Sequence, residues 1–190
     1  MEITNIAPVK SRADWRAWLV ANHAGEKFCW VPVCKGMWGS ASKKIRHDTT
    51  LTYLDAVEEA LCFGWIDSTG KDGFQRFSPR AKKSNWTELN RARAERLEQL
   101  GFMTDAGRAV VPREPFVIHP EIMRAIESDG VVLENFLKFT ETYRRVRVDN
   151  IQVCLKRKDR PLFESRLCKF IQNTRDGKMY GDWNDSGRLS

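Results

Sequence analysis

The spacing of apolar and polar positions changes period several times along the chain. After Ser11, the residues Trp15, Trp18 and Leu19 recur at helical spacing and predict a helix over 12–23. Ser11 with Asp14 three residues on makes a capping-box-like start. KFCWVPVCK (27–35) is dense in aromatic and β-branched residues and predicts a strand. Pro32 has no N–H for a ladder, so that strand belongs at a sheet edge or bulge. Leu54, Val57, Leu61 and Cys62 give a second helix its apolar face, with Thr52 as N-cap and Gly64 as a stop with positive φ. Two strands, 65–68 and 74–78, predict a hairpin around TGKDG, closed by Pro79. A third helix is expected over 85–100, halted by Gly101, and a helical turn from Thr104.

VPREPFVIHP (111–120) holds three prolines and divides the pattern. Beyond it every periodic stretch is helical, at about 120–129, 131–139, 143–157 and 161–174. Pro120 and Pro161 suit first-turn positions, where a missing N–H leaves no bond unmade. Gly177 follows the last helix as a stop, and the polar tail DWNDSGRLS is expected to fray. The pattern therefore predicts an α+β protein. An N-terminal domain (1–112) carries a small antiparallel sheet flanked by helices, and a helical C-terminal module (113–190) follows.

Composition narrows the class. With 42% hydrophobic residues the chain can bury a core, so general disorder is excluded. The opening MEITNIAPVKSRADW has no basic region followed by an apolar one, so no secretory signal is expected there. No stretch is apolar enough to span a bilayer. The five cysteines, an odd number mostly in apolar runs, read as reduced thiols and predict a cytoplasmic setting. The net charge of +7 lies mainly in two basic segments, 71–108 and 143–190, on either side of an acidic one. That distribution attracts anionic partners, or simply keeps the surface solvated.

Two chemistries fit badly. Cys62 sits at a helix C-terminus, where the dipole disfavours a thiolate, and on the apolar face, so a packing role is expected. Cys29 and Cys34 find no second Cys or His pair at zinc spacing, so no metal is expected, and no cofactor either.

The promising set is Trp65, Asp67, Arg76, Arg80, Ser84, Asn85, Trp86, Asn90 and Arg93. Trp65 and Asp67 share one strand face, and a cross-strand contact between Asp67 and Arg76 is open to them. Arg80, Lys82 and Lys83 precede a helix start expected near 84–86, where free N–H groups and the dipole favour an anion. The same groups can equally be a structural ion pair, a core indole at Trp86 and a cap at Ser84 or Thr87.

Several stretches carry a family likeness: TYLDAVEEALCFGWIDS (52–68), QRFSPR (75–80), SNWTELNRAR with LEQLGFMTDAG (84–107), then HPEIMRAI, NFLKFTETYRR and FESRLCKFIQNTRDGKMYG (163–181). Together they resemble the YdeI/OmpD-associated family, also called OmdA-type or bacteriocin-protection proteins. The resemblance implies an α+β part followed by an OmdA-like helical module, and a role in envelope or bacteriocin stress. It supplies no reaction.

Three functions follow as expectations. The first is binding of a small anionic, phosphate- or nucleotide-like ligand by the residues named above between 65 and 93. If the ligand is turned over, Asp67 is the first candidate acid or base, with Arg76 or Arg80 stabilising charge. The second is nucleic-acid binding through the basic segments 76–83 and 144–166. The third is a protein-interaction module, with Val146, Val153, Leu155, Leu162, Phe163, Leu167 and Phe170 forming either a core face or a groove.

Overall fold

A computed structural model describes residues 2–34, 47–81 and 84–189. Most of the basic loop at 35–50, together with Lys82 and Lys83, lies outside them. The described residues form eight helices and a three-stranded antiparallel sheet, an α+β fold with a helical C-terminal part. The chain divides into two compact units, residues 1–84 with 94–111, and residues 85–93 with 112–190.

In the first unit, α1 (Arg12–Asn22) starts where Ser11 accepts the Asp14 N–H, and buries Trp15 and Leu19. β1 (Cys29–Pro32) is an edge strand, as Pro32 requires, and pairs with the central strand β3 (Phe74–Pro79). β2 (Trp65–Lys71) lies on the other side of β3. It runs three residues further than the pattern suggested, because the tight turn is made by Asp72 and Gly73 alone, with φ of 50° and 80°. Two successive positive φ values give the turn handedness that matches strand twist. A bulge between Asp67 and Gly70 absorbs the offset.

Between the strands, α2 (Tyr53–Cys62) is capped by Thr52 and stopped by Gly64 at φ 74°. The Cys62 carbonyl accepts from both the backbone and the hydroxyl of Thr104 at 3.1 and 2.7 Å, so the short α4 (Asp105–Arg108) closes the end of α2. Trp15, Trp30, Leu51, Leu61, Trp65, Phe77 and Leu97 fill the core. Trp15 lies 5.4 Å from Phe77, and Trp18 meets Trp65 edge-on at 5.8 Å.

The α3 helix (Glu88–Gln99) contributes its first half to the second unit and its second half to the first. It begins three residues later than the pattern predicts, because Thr87 rather than Ser84 caps it, accepting the Asn90 N–H at 3.2 Å. The second unit adds α5 (Pro120–Glu127), α6 (Gly130–Lys138), α7 (Glu141–Lys156) and α8 (Arg160–Arg175). Ile122, Ile126, Phe136, Tyr143, Val146, Val148, Phe163 and Phe170 make one core, with Val153, Leu155, Leu162 and Leu167 packed against it. The α7 and α8 apolar positions are thus used for core.

The tail does not fray through residue 189. Trp183, Asp185 and Leu189 are buried. A polar composition counts against a buried run, but these three anchors hold the segment against the unit.

Candidate functional site

α2 carries three acidic groups, Asp55 in its first turn and Glu58 and Glu59 one turn on. Glu58 and Glu59 are only 1% and 3% exposed. Burying two carboxylates on one helix is tolerable only where cations meet them. Arg12 donates to Asp55, Glu58 and Glu59 at 2.9, 2.9 and 2.6 Å. Arg16 donates to Glu59 at 2.7 Å, and Arg96 to Glu58 at 3.2 Å. Nothing in the apolar spacing of α2 signalled this network, because it depends on arginines from α1 and α3.

The same helix ends at Cys62, which is buried. Desolvation first, and then the nearby Glu59 charge, push its thiol up to about 11, against the opposing pull of Arg16. Cys29 in β1 is raised to about 12, again chiefly by burial. Both remain neutral thiols at neutral pH, and Cys62 packs. Among the described residues no group of three or more His, Cys, Asp or Glu is placed to hold a metal ion.

On the sheet, Trp65 is core: it is buried and its indole N–H donates to the His23 carbonyl at 3.1 Å. The expected contact between Asp67 and Arg76 does not form. The register pairs Asp67 with Phe77, so Arg76, the next residue along, points to the opposite face. Arg76 stacks 4.6 Å over Phe28 and donates to the Ser68 hydroxyl at 3.4 Å. Asp67 instead accepts from the Tyr53 hydroxyl at 2.7 Å.

Arg80 follows β3, its backbone N–H donating to the Gly64 carbonyl at 2.9 Å. Its side chain is drawn inside, leaving the residue 8% exposed. Desolvation lowers its guanidinium to about 10, and the charge of Asp67 offsets only part of that. Tyr53, Asp67 and Arg80 thus form a half-buried group of a hydroxyl, an acid and a cation. Tyr53 was not among the sequence candidates. It sits at the first turn of α2, and only the fold places it over β2. Ser84 belongs to the same unit and is partly buried.

Asn85, Trp86, Asn90 and Arg93 lie in the second unit. The start of α3 there is served by the protein's own groups. The Glu88 N–H donates to the Asp149 carboxylate at 3.1 Å, and burial raises the Asp149 carboxyl above its ordinary value. The buried Glu88 carboxylate pairs with Arg91 and Arg145 at 3.1 and 2.7 Å. Arg93 donates through Nε and Nη2 to both oxygens of Asp185 at 2.6 and 2.8 Å, and through Nη1 to Asn90 at 2.8 Å.

Several cations of the basic segment 144–166 are likewise engaged. Arg145 serves Glu88, Arg160 pairs with Glu121 and Glu164, and Arg166 donates to the Asn150 carbonyl. The run Lys156, Arg157 and Lys158 is exposed. No described helix is long and apolar enough to cross a membrane.

No curated protein and no solved structure matches the chain. One family does, over residues 7–110, a span that includes the sheet, the α2 network and the group formed by Tyr53, Asp67 and Arg80. That match covers more than half of the chain, which therefore belongs to the family described as a domain of unknown function, DUF8412.

Proposed function

We propose that the protein binds a small anionic, phosphate- or nucleotide-like ligand at Arg80. The observation that carries the reading is the meeting of a buried arginine, Arg80, 8% exposed, with the Asp67 carboxylate and the Tyr53 hydroxyl that holds it. A buried cation is stabilised where an anion meets it. A phosphate or carboxylate on the guanidinium makes charge-assisted hydrogen bonds, which are about twice as strong as neutral ones. Asp67, held by Tyr53, accepts a hydroxyl of the same ligand, which favours a phosphate ester over a bare anion. If the ligand is turned over, Asp67 is the acid or base and Arg80 stabilises charge.

Kinship with the YdeI/OmpD-associated family, and with it a role in envelope or bacteriocin stress, is part of this proposal and rests on the sequence motifs. A cytoplasmic setting is supported by the free thiols.

The test is calorimetric titration of the wild type and Arg80→Met with inorganic phosphate and adenosine monophosphate. The expected result is saturable binding by the wild type, weakened roughly tenfold or more in the variant, the worth of one charge-assisted hydrogen bond. Equal binding by both proteins, or none by the wild type, overturns the reading. A single-stranded oligonucleotide titrated at two salt concentrations tests the alternative. Binding that falls steeply with salt would put nucleic-acid recognition in its place.

A further inference from the structure

Cations of the second unit are answered in different ways. Arg145 on α7 pairs with Glu88 and Glu141, Arg160 on α8 with Glu121 and Glu164, and Arg175 with Asp129. Lys156, Arg157 and Lys158 are exposed, and water answers their charge. Arg144 and Arg147 on α7 have neither. Both are half-buried, and their Nε–H groups are buried and donate no hydrogen bond. Among the described residues, neither forms an ion pair with an acid.

Each is held by an aromatic ring instead. Arg144 lies over Phe136 at 5.4 Å, and Arg147 over Tyr180 at 4.3 Å. Lys169 of α8 comes to the same Tyr180 ring at 5.3 Å, and it too pairs with no described acid. The quadrupole of a ring attracts a cation but carries no net charge, so the positive charge stays uncompensated. Arg144 and Arg147 are three residues apart on α7 and therefore neighbours on its surface. Lys169 joins them through Tyr180, and three like charges so placed repel one another. Gly181 makes the approach possible, since a Cβ there would come within 2.6 Å of Arg147 Nη1. The repulsion is relieved when one multiply charged anion meets all three groups.

We propose that Arg144, Arg147 and Lys169 bind a phosphomonoester dianion beside Tyr180, at a site made of second-unit residues alone. A guanidinium matches phosphate oxygens through paired N–H donors, and an ammonium adds a point charge. A carboxylate brings one negative charge against three positive ones, whereas a phosphomonoester brings close to two at neutral pH. Lys169 is exposed and the arginines are half-buried, so the phosphate arrives from the surface, free or on the side chain of a partner.

The probe is a fluorescein-labelled glycine pentapeptide with one central phosphoserine, titrated by anisotropy against the full chain. The expected result is saturable binding that Arg80→Met leaves unchanged and Arg147→Met weakens roughly tenfold or more, with none by the unphosphorylated peptide. Binding lost in Arg80→Met and kept in Arg147→Met belongs to the first unit and overturns the proposal. So does the absence of saturable binding. Inorganic phosphate that competes as well as the unlabelled phosphopeptide assigns the site to the free ion, and weaker competition assigns it to a phosphorylated partner; both support it. A single-stranded oligonucleotide that displaces the phosphopeptide better than either overturns it, making the cluster a track for phosphodiesters. If Arg147→Met does not fold, Lys169→Met, at an exposed position, decides the same titration.

Discussion

Glu58 and Arg80 are both buried charges in the first unit, and the protein treats them in opposite ways. Glu58 is met by Arg12 and Arg96, beside a Glu59 that is met by Arg12 and Arg16. Arg80 has Asp67 as the acid whose charge it feels, and that acid is shared with the Tyr53 hydroxyl. A network in which the two buried glutamates are each met by two arginines holds α1, α2 and the second half of α3 together. Arg80 lies instead beside an acid and a hydroxyl near the end of the sheet, the mixed polar grouping a ligand site needs. Burial alone does not separate structure from function; the chemistry of the groups gathered around the charge does.

The comparison breaks first at Glu58. Glu58→Gln leaves the guanidinium of Arg12 short of a partner and costs about 3 kcal/mol, read as a lower urea midpoint with an unchanged slope. If the loss is below about 1 kcal/mol, the network is surface decoration of the kind exposed pairs provide.

At the other end of α2, Gly107 lies against the Cys62 carbonyl so closely that an added Cβ would collide with it. Gly107→Ala should cost about 2 kcal/mol through the resulting shift of α4. A thermal melt equal to that of the wild type would show that the closure of α2 is loose.

Cys62 gives a pH dependence. Its folded thiol titrates near 11, above an unfolded value of about 8.5. A raised folded value contributes stability that is fully present below about pH 8.5 and is lost as the pH rises toward 11. Stability should therefore fall by about 1.4 kcal/mol per pH unit in that window on account of this thiol. Denaturant midpoints of Cys62→Ala, measured from about pH 8 to about pH 10.5, should be flatter by that slope.

The smallest expected effect on stability is at Arg80. Arg80→Met should change unfolding free energy by about 1 kcal/mol or less in either direction, since an apolar side chain replaces a buried charge. The same variant should lose ligand binding. A large loss of stability would place Arg80 with Glu58 as structure and remove the contrast.

Much of the fold was legible. Thr52, Gly64, Thr104, Pro120 and Gly177 act locally, through caps, stops and fixed φ, and the helices they bound lie close to their expected places. Pro32 marked its strand as an edge for the same local reason. The candidate site was legible in part: Asp67 and Arg80 are drawn toward one another, whereas Arg76 is not. Strand register decided that, through a bulge that no residue type announces. Tyr53 was missed because a helix-turn tyrosine has no pattern of its own.

What the sequence determined by itself is the set of local elements and the α+β order, because periodicity, capping and turn chemistry act over a few residues. Which charges are buried together was decided by tertiary structure alone. Arg12 and Glu58 are 46 residues apart, and Arg93 and Asp185 are 92 apart. The energy of a charge depends on the dielectric and the partners around it, and those exist only once distant segments have closed over it.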